Sequence, residues 1–270
     1  MSKIHFAALI GVDYELDIFN LWIQYYKRMK LDSYKIFLHK EYGTIADSIV
    51  NLVKDYNVDV ECVGGSQANG GLREEVCRYH ASTLDKDDLF VTADGDEFQT
   101  VPGGIEGVPA KKAVPPDYRL LEKHYDLISG FMVDRHAEAL IPCTGDPFEQ
   151  YPYEEPYTRD YQKSFIPPFL GATIWLATRR TKVLAARAGY NVAYTGSHLT
   201  VDTASNARIA EDFRVVHFAW RESAAAKISV KAYFTIENLD EIFGGRAPDY
   251  YREQLLRKTP SYMEAEFAKG

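Results

Sequence analysis

The 270-residue chain has little cysteine: Cys62, Cys77 and Cys143 are the only three, and no Cys-x-x-Cys spacing occurs. Three thiols cannot complete a paired framework, which excludes a disulfide scaffold and a cysteine-based zinc site. They read as neutral thiols of a reducing compartment, and the expected location is cytoplasmic. No apolar stretch approaches the ~20 residues needed to span a bilayer. The apolar run at residues 4–12 meets Asp13, Glu15 and Asp17 at once and shows no cleavage-type site, so it reads as a buried strand, not a signal peptide. Basic residues are also short, with 31 Lys and Arg against 39 Asp and Glu for a net charge of −8. A nucleic-acid polymer needs concentrated Lys and Arg, so that class of partner is excluded. A small anionic ligand held through a metal ion is not. With 46% hydrophobic and 26% charged residues and no repeat, the chain falls in the ordinary globular range.

What is present is an alternation. Residues 4–11 form a near-continuous apolar run, as in a strand buried on both faces. Leu16, Phe19, Leu21, Trp22, Tyr25, Tyr26 and Met29 then recur at helical spacing up to Lys30. Strands are expected at 34–38, 58–63 and 89–93, and helices at 45–56 and 72–83. This order predicts an α/β fold with a mostly parallel central sheet and helices on both faces. The Gly/Pro-rich segment 101–116 and the Pro/Tyr/acid-rich segment 141–168 read as long loops, a length that usually signals function. A strand is expected at 125–134, two more at 172–177 and 215–218, and a helix around 181–188. The organisation expected is one domain over residues 1–225, with a helical and turn extension, 226–270, packed on it.

The most informative segment is LFVTADGDEF, residues 89–98. A buried strand delivers Asp94, Asp96 and Glu97 at its carboxyl end, with Gly95 allowing a tight bend. Ligands of open α/β sheets bind at the carboxyl ends of strands. Two carboxylates one residue apart repel unless a cation lies between them, and an Asp-x-Asp pair suits Mg²⁺ or Mn²⁺ bridging to phosphate oxygens. The plain alternative is a solvated acidic turn or a helix cap. A haloacid dehalogenase-like phosphatase also places Asp-x-Asp after a strand, but its motif continues with Thr or Val where Glu97 and Phe98 stand, and it follows the first strand. An EF-hand lacks its ligand spacing here.

The order REEVCRYHASTLDKDDLFVTADGDEF resembles the helix, strand and Asp-x-Asp segment of GT-A-type glycosyltransferases, in particular the family 2-like and family 92-like group with a D-x-DEF signature. LDIFNLWIQYYKRMKLDSYKIFLHK resembles that group's first helix and second strand, and FMVDRHA, FLGATIWLATRR and VVHFAWRES its later landmarks. The resemblance covers residues 5–227. It implies the GT-A (Rossmann-like) fold and transfer of a sugar, with UDP-sugars favoured, from a nucleoside diphosphate to a hydroxyl of a glycan or other acceptor. It further implies dependence on Mn²⁺ or Mg²⁺ and inversion at the anomeric carbon.

The resemblance also assigns roles. Gly11, Val12, Asp13 and Glu15 would meet base and ribose, and Arg73 would approach the nucleotide; Asp13 and Glu15 read equally as a solvated turn, and Arg73 as a surface arginine. Asp94 would touch ribose or metal, Asp96 would bind the metal, and Glu97 would orient the turn. His217 would complete the metal site, the alternative being a core histidine. His198 is its rival or a substrate contact. Arg221 and Lys227 would reach the diphosphate, and Gly171 would let backbone approach the donor sugar. An inverting transfer needs a base at the acceptor hydroxyl, for which Asp212, Asp134 and Asp202 stand level. Tyr151, Tyr153, Tyr157, Tyr161 and Trp175 are candidates to stack on acceptor sugars. Two other readings remain: a catalytically silent carbohydrate- or nucleotide-binding module, and a nucleotidyltransferase, against which counts the absence of a Gly-rich, Lys-bearing phosphate loop.

Overall fold

The computed structural model describes residues 2–40, 43–64, 71–101, 112–137, 141–156, 181–190, 208–218, 221 and 223. Its first half runs β1 (Ile4–Gly11), α1 (Leu16–Lys27), β2 (Ser33–His39), α2 (Asp47–Lys54), β3 (Asp59–Val63), α3 (Gly71–Ser82) and β4 (Leu89–Thr92). The second half runs β5 (Glu97–Thr100), α4 (Tyr118–Leu121), β6 (Leu127–His136), α5 (Pro147–Gln150), β7 (Tyr153–Pro156), β8 (Thr181–Arg187) and β9 (Ile209–His217).

β1 is apolar throughout because it serves two cores. Phe6, Ala8 and Ile10 pack with Ile18, Trp22 and Tyr26 of α1, while Ala7 and Leu9 pack with Leu72, Val76 and Cys77 of α3. Residues alternate across a strand, so this division places helices on both faces of the sheet. α1 buries Ile18, Phe19, Trp22, Ile23, Tyr25 and Tyr26, the stripe that its helical spacing predicts. Phe6 lies stacked on Tyr26 at 4.6 Å between ring centroids and tilted against Trp22 at 5.6 Å.

The strands form one sheet in the order β3-β2-β1-β4-β8-β6-β9-β5, with β7 paired to β6. β1, β2, β3, β4, β6 and β9 run one way, and β5, β7 and β8 run the other. The α/β class, the mostly parallel sheet and the helices on both faces are thus present as expected. No helix among the described residues is long and apolar enough to cross a membrane. The three cysteines are free, with Cys62 exposed and Cys77 and Cys143 buried.

One expectation is overturned. Residues 181–188 do not form a helix; residues 181–187 are strand β8, antiparallel to both β4 and β6. The Ala-rich sequence favours a helix locally, but Val183 and Ala186 fill one core and Leu184 and Ala185 the other. Burial on both sides decides for strand. The last strand also starts earlier than the expected residue 215, at Ile209, and the short strands β5 and β7 were not anticipated. The segment 141–168 opens on an ordered turn of helix, α5, whose Asp146 accepts the Phe148 N–H. The expected strand at 172–177 and the extension 226–270 lie outside the described residues.

At the amino ends of the parallel strands, Asp88 clamps the chain terminus to the sheet. It accepts from the Lys3 N–H at 2.7 Å and pairs with His5 Nε2 at 3.1 Å. Burial raises its pKa, but the Lys3 N–H and His5 outweigh burial, so the carboxyl titrates below the usual carboxylate range. Its stabilisation is therefore present above the unfolded-state pKa and lost as pH falls through the lower folded value. Asp88→Asn is expected to melt several degrees below wild type at pH 7, and the gap should close on titration to pH 3 in thermal melts.

Candidate active site

The acidic segment ends β4 and turns into β5. Glu97 donates its N–H to the Asp94 carbonyl at 3.1 Å, closing the turn, and Phe218 donates its N–H to the Asp96 carbonyl at 2.8 Å. Register places Glu97 opposite His217 across β5 and β9, and His217 opposite Asp134 across β9 and β6. The carboxyl ends of β4, β6 and β9 therefore converge where the sequence placed the acidic pair. Gly95 has no room for a side chain: a Cβ there would come within 2.8 Å of Glu15 Oε2 and 2.9 Å of Ile10 Cδ1. Glycine lets the acidic turn close over the end of β1.

Aromatic side chains of α1 hold this turn by its backbone. Trp22 Nε1 donates to the carbonyls of Asp94 and Glu97 at 2.9 and 3.0 Å. Tyr26 donates its hydroxyl to the Glu97 carbonyl at 3.0 Å, and Tyr25 donates to the Gln99 carbonyl at 2.6 Å. The Tyr25 hydroxyl titrates above its ordinary value because it is buried. It stays a neutral donor at any physiological pH.

The side chains form an alternating set of charges. Asp94 pairs with Arg73 Nη1 at 2.6 Å and with Lys182 Nζ at 2.7 Å. Lys182 also bonds the Glu97 carboxylate. Asp96 is fully buried, with one carboxylate oxygen 3.6 Å from His217 Nε2. Burial, and after it the Asp94 charge, raise the Glu97 pKa despite the opposing pull of Lys182, His217 and Arg73. Burial works against the Arg73 charge, but Asp94 leads the neighbours that more than offset it, so the guanidinium stays charged. Its Nε and Nη2 are buried and have no hydrogen-bond partner among the described residues.

Several assigned residues take other positions than their sequence context implied. Glu15 is buried and accepts the Gly11 N–H at 2.6 Å, so it caps the end of β1 rather than standing in a solvated turn, while Asp13 is exposed. Gly11 and Val12 lie at the same strand end, where the Val12 N–H bonds the His39 carbonyl at 2.9 Å. Arg221 is fully buried: Nε pairs with Asp17 at 3.1 Å, Nη2 donates to the Tyr14 carbonyl at 3.0 Å, and Nη1 donates to the Phe218 carbonyl. These bonds tie the chain beyond β9 to the start of α1. Tyr151 is buried, its hydroxyl bonded to the Ile141 carbonyl at 2.8 Å and its ring edge-on to Phe218, so it is a core residue and not a stacking platform. Tyr153 is exposed.

Of the base candidates, Asp134 lies in register with His217, whereas Asp212 lies inside β9. Five residues of strand at ~3.3 Å each put the Asp212 backbone ~16 Å from that of His217. Asp202, Gly171, Trp175, His198, Lys227, Tyr157 and Tyr161 lie outside the described residues.

For a divalent ion, Asp96 and His217 offer an oxygen and a nitrogen donor of the kinds that Mn²⁺ accepts, and to that extent the residues fit. Both Asp94 oxygens face cations, and among the described residues no group of three His, Cys, Asp or Glu gathers to hold a metal. Sequence reasoning missed Lys182. Its signal was a lone lysine before an apolar run, which reads as an ordinary helix-face residue once 181–188 is taken for helix.

No family model and no curated protein matches this chain. Among solved structures it is similar to S. aureus TarS, at 10% identity and a TM-score of 0.42, over 92% of this chain and 43% of that one. It is also similar to 4-diphosphocytidyl-2C-methyl-D-erythritol synthase, at 14% identity and a TM-score of 0.33, over 69% of this chain and 77% of that one. The chain spans less than half the length of TarS.

Trp22 holds both ends of the acidic turn by their backbone carbonyls. Trp22→Phe keeps the ring packing but removes the indole N–H, leaving two buried carbonyls each short of one bond. Such a loss costs about 1–3 kcal/mol, measurable as a lower urea midpoint at unchanged slope.

Proposed function

We propose that the protein is a glycosyltransferase that moves a sugar from a nucleoside-diphosphate donor to a hydroxyl acceptor, with a divalent cation as cofactor. The observation that supports this best is the acidic turn Asp94–Gly95–Asp96–Glu97 at the carboxyl ends of the parallel strands, ringed by Arg73, Lys182 and His217. This is the crevice where open α/β sheets take ligands. Paired carboxylates there suit a cation, and basic groups beside them suit the phosphates that the cation bridges.

In this reading the Arg73 Nε and Nη2, which have no hydrogen-bond partner among the described residues, would meet an anionic oxygen of the donor. Asp96 and His217 would hold Mn²⁺ or Mg²⁺, and the ion would supply positive charge against the departing diphosphate. The bond from the anomeric carbon to the diphosphate oxygen breaks, and the acceptor oxygen bonds to that carbon from the opposite face. The acceptor's proton passes to a carboxylate. Asp134 is favoured because its strand position lies beside His217. Tyr153, exposed on β7 next to β6, is available to stack on an acceptor sugar. UDP is the favoured nucleotide.

Thermal melts with a panel of nucleoside diphosphates test this reading. UDP should stabilise the protein in Mn²⁺ and far less in EDTA, by an amount that grows with the logarithm of ligand concentration. UDP-sugars should be hydrolysed slowly with Mn²⁺, and Asp96→Asn should slow that hydrolysis at least ~100-fold, the scale for losing one charge-stabilising group. Binding with no turnover of any donor would make the protein a silent binding module. No shift with any nucleotide would end the reading.

A further inference from the structure

Lys182 sits in the interior of the sheet with its side chain 1% exposed, a position that an ammonium tolerates only when paired. Its partners are the two carboxylates that flank the turn, Asp94 at 2.7 Å and Glu97. Asp94 in turn holds Arg73 at 2.6 Å on its other oxygen. A divalent cation that approaches Asp94 in this state finds both of its oxygens engaged by cations, one by Arg73 and the other by Lys182.

We infer that Lys182 is the resident counter-ion of the acidic turn, competing with the divalent cation for Asp94 and so making metal binding depend on the nucleotide. This rests on the nucleotide and metal reading above and adds an order to it. A nucleoside diphosphate supplies the negative charge that Lys182 and Arg73 need once they release Asp94, and Asp94 then becomes available to the ion. The coupling is reciprocal, so metal tightens nucleotide binding by the same factor that nucleotide tightens metal binding.

The test is Mn²⁺ binding, read from the free-ion electron paramagnetic resonance signal, for wild type and Lys182→Met, each with and without UDP. Wild type should bind Mn²⁺ weakly alone and at least tenfold more tightly with UDP. Lys182→Met should bind Mn²⁺ alone at least tenfold more tightly than wild type and gain less from UDP. A purely structural lysine would give the opposite, because a loosened turn binds metal less well. If Lys182→Met folds poorly with Glu97 left unpaired, Glu97→Gln/Lys182→Met is compared with Glu97→Gln, and the double variant should bind Mn²⁺ more tightly. Equal or weaker Mn²⁺ binding on removal of Lys182, with wild type still binding Mn²⁺ and UDP together, overturns this inference alone. No Mn²⁺ binding by any variant, with or without UDP, overturns the metal reading and this inference with it.

Discussion

Carboxylates taken out of water need cations or hydrogen-bond donors to meet them, and that requirement organises the middle of this protein. Asp94, Asp96, Glu97 and Glu15 crowd the ends of β1 and β4, and Asp96, Glu97 and Glu15 are buried. Left alone, such a group would protonate or unfold the turn. The chain meets it with Arg73 from α3, Lys182 from β8 and His217 from β9, while Arg221 beyond β9 pairs with Asp17. Each cation comes from a different part of the sequence, so the elements that deliver them have to be in place together.

The sheet is arranged to make that delivery possible. The parallel strands β1, β4, β6 and β9 bring their carboxyl ends to one side. The antiparallel β8 enters between β4 and β6 with Lys182 near its start, and therefore on the same side. A parallel strand in that slot would have presented its amino end at the far edge. The aromatic hydroxyls and indole of α1 fix the turn's carbonyls from the face on which Trp22, Tyr25 and Tyr26 pack. Backbone and side chains of the turn are thus held by separate sets of partners: aromatic and backbone donors for the carbonyls, cations for the carboxylates.

Much of this was legible in the sequence because it rests on local signals. Six residues of α1 at helical spacing, the unbroken apolar runs of β1 and β4, and an acidic triplet directly after β4 each state their own role. Asp96 lies 3.6 Å from His217, while Asp94 faces Arg73 and Lys182. What was not legible depends on long-range pairing. TKVLAAR has helix-forming residues and becomes β8 only because β4 and β6 leave a slot buried on both faces. Lys182 gained its meaning from that slot. Arg221 carries an anion-binding side chain, but register and burial give its nitrogens to Asp17 and to backbone carbonyls. Tyr151 looked like its neighbours in a Tyr-rich segment and is a core residue.

The place of β8 also sets the order in which the protein can be completed. β4 pairs with β1 on one side as soon as both have left the ribosome, but its other edge stays open until Thr181–Arg187 has been made. Until then, a short strand of buried apolar residues presents unpaired backbone, the kind of edge that recruits other chains. The acidic residues just beyond it remain in water over the same interval, because Lys182 does not yet exist to meet them. The charges that finally close the site thus guard the nascent edge with mutual repulsion, and lose that duty when the strand that neutralises them also covers the edge.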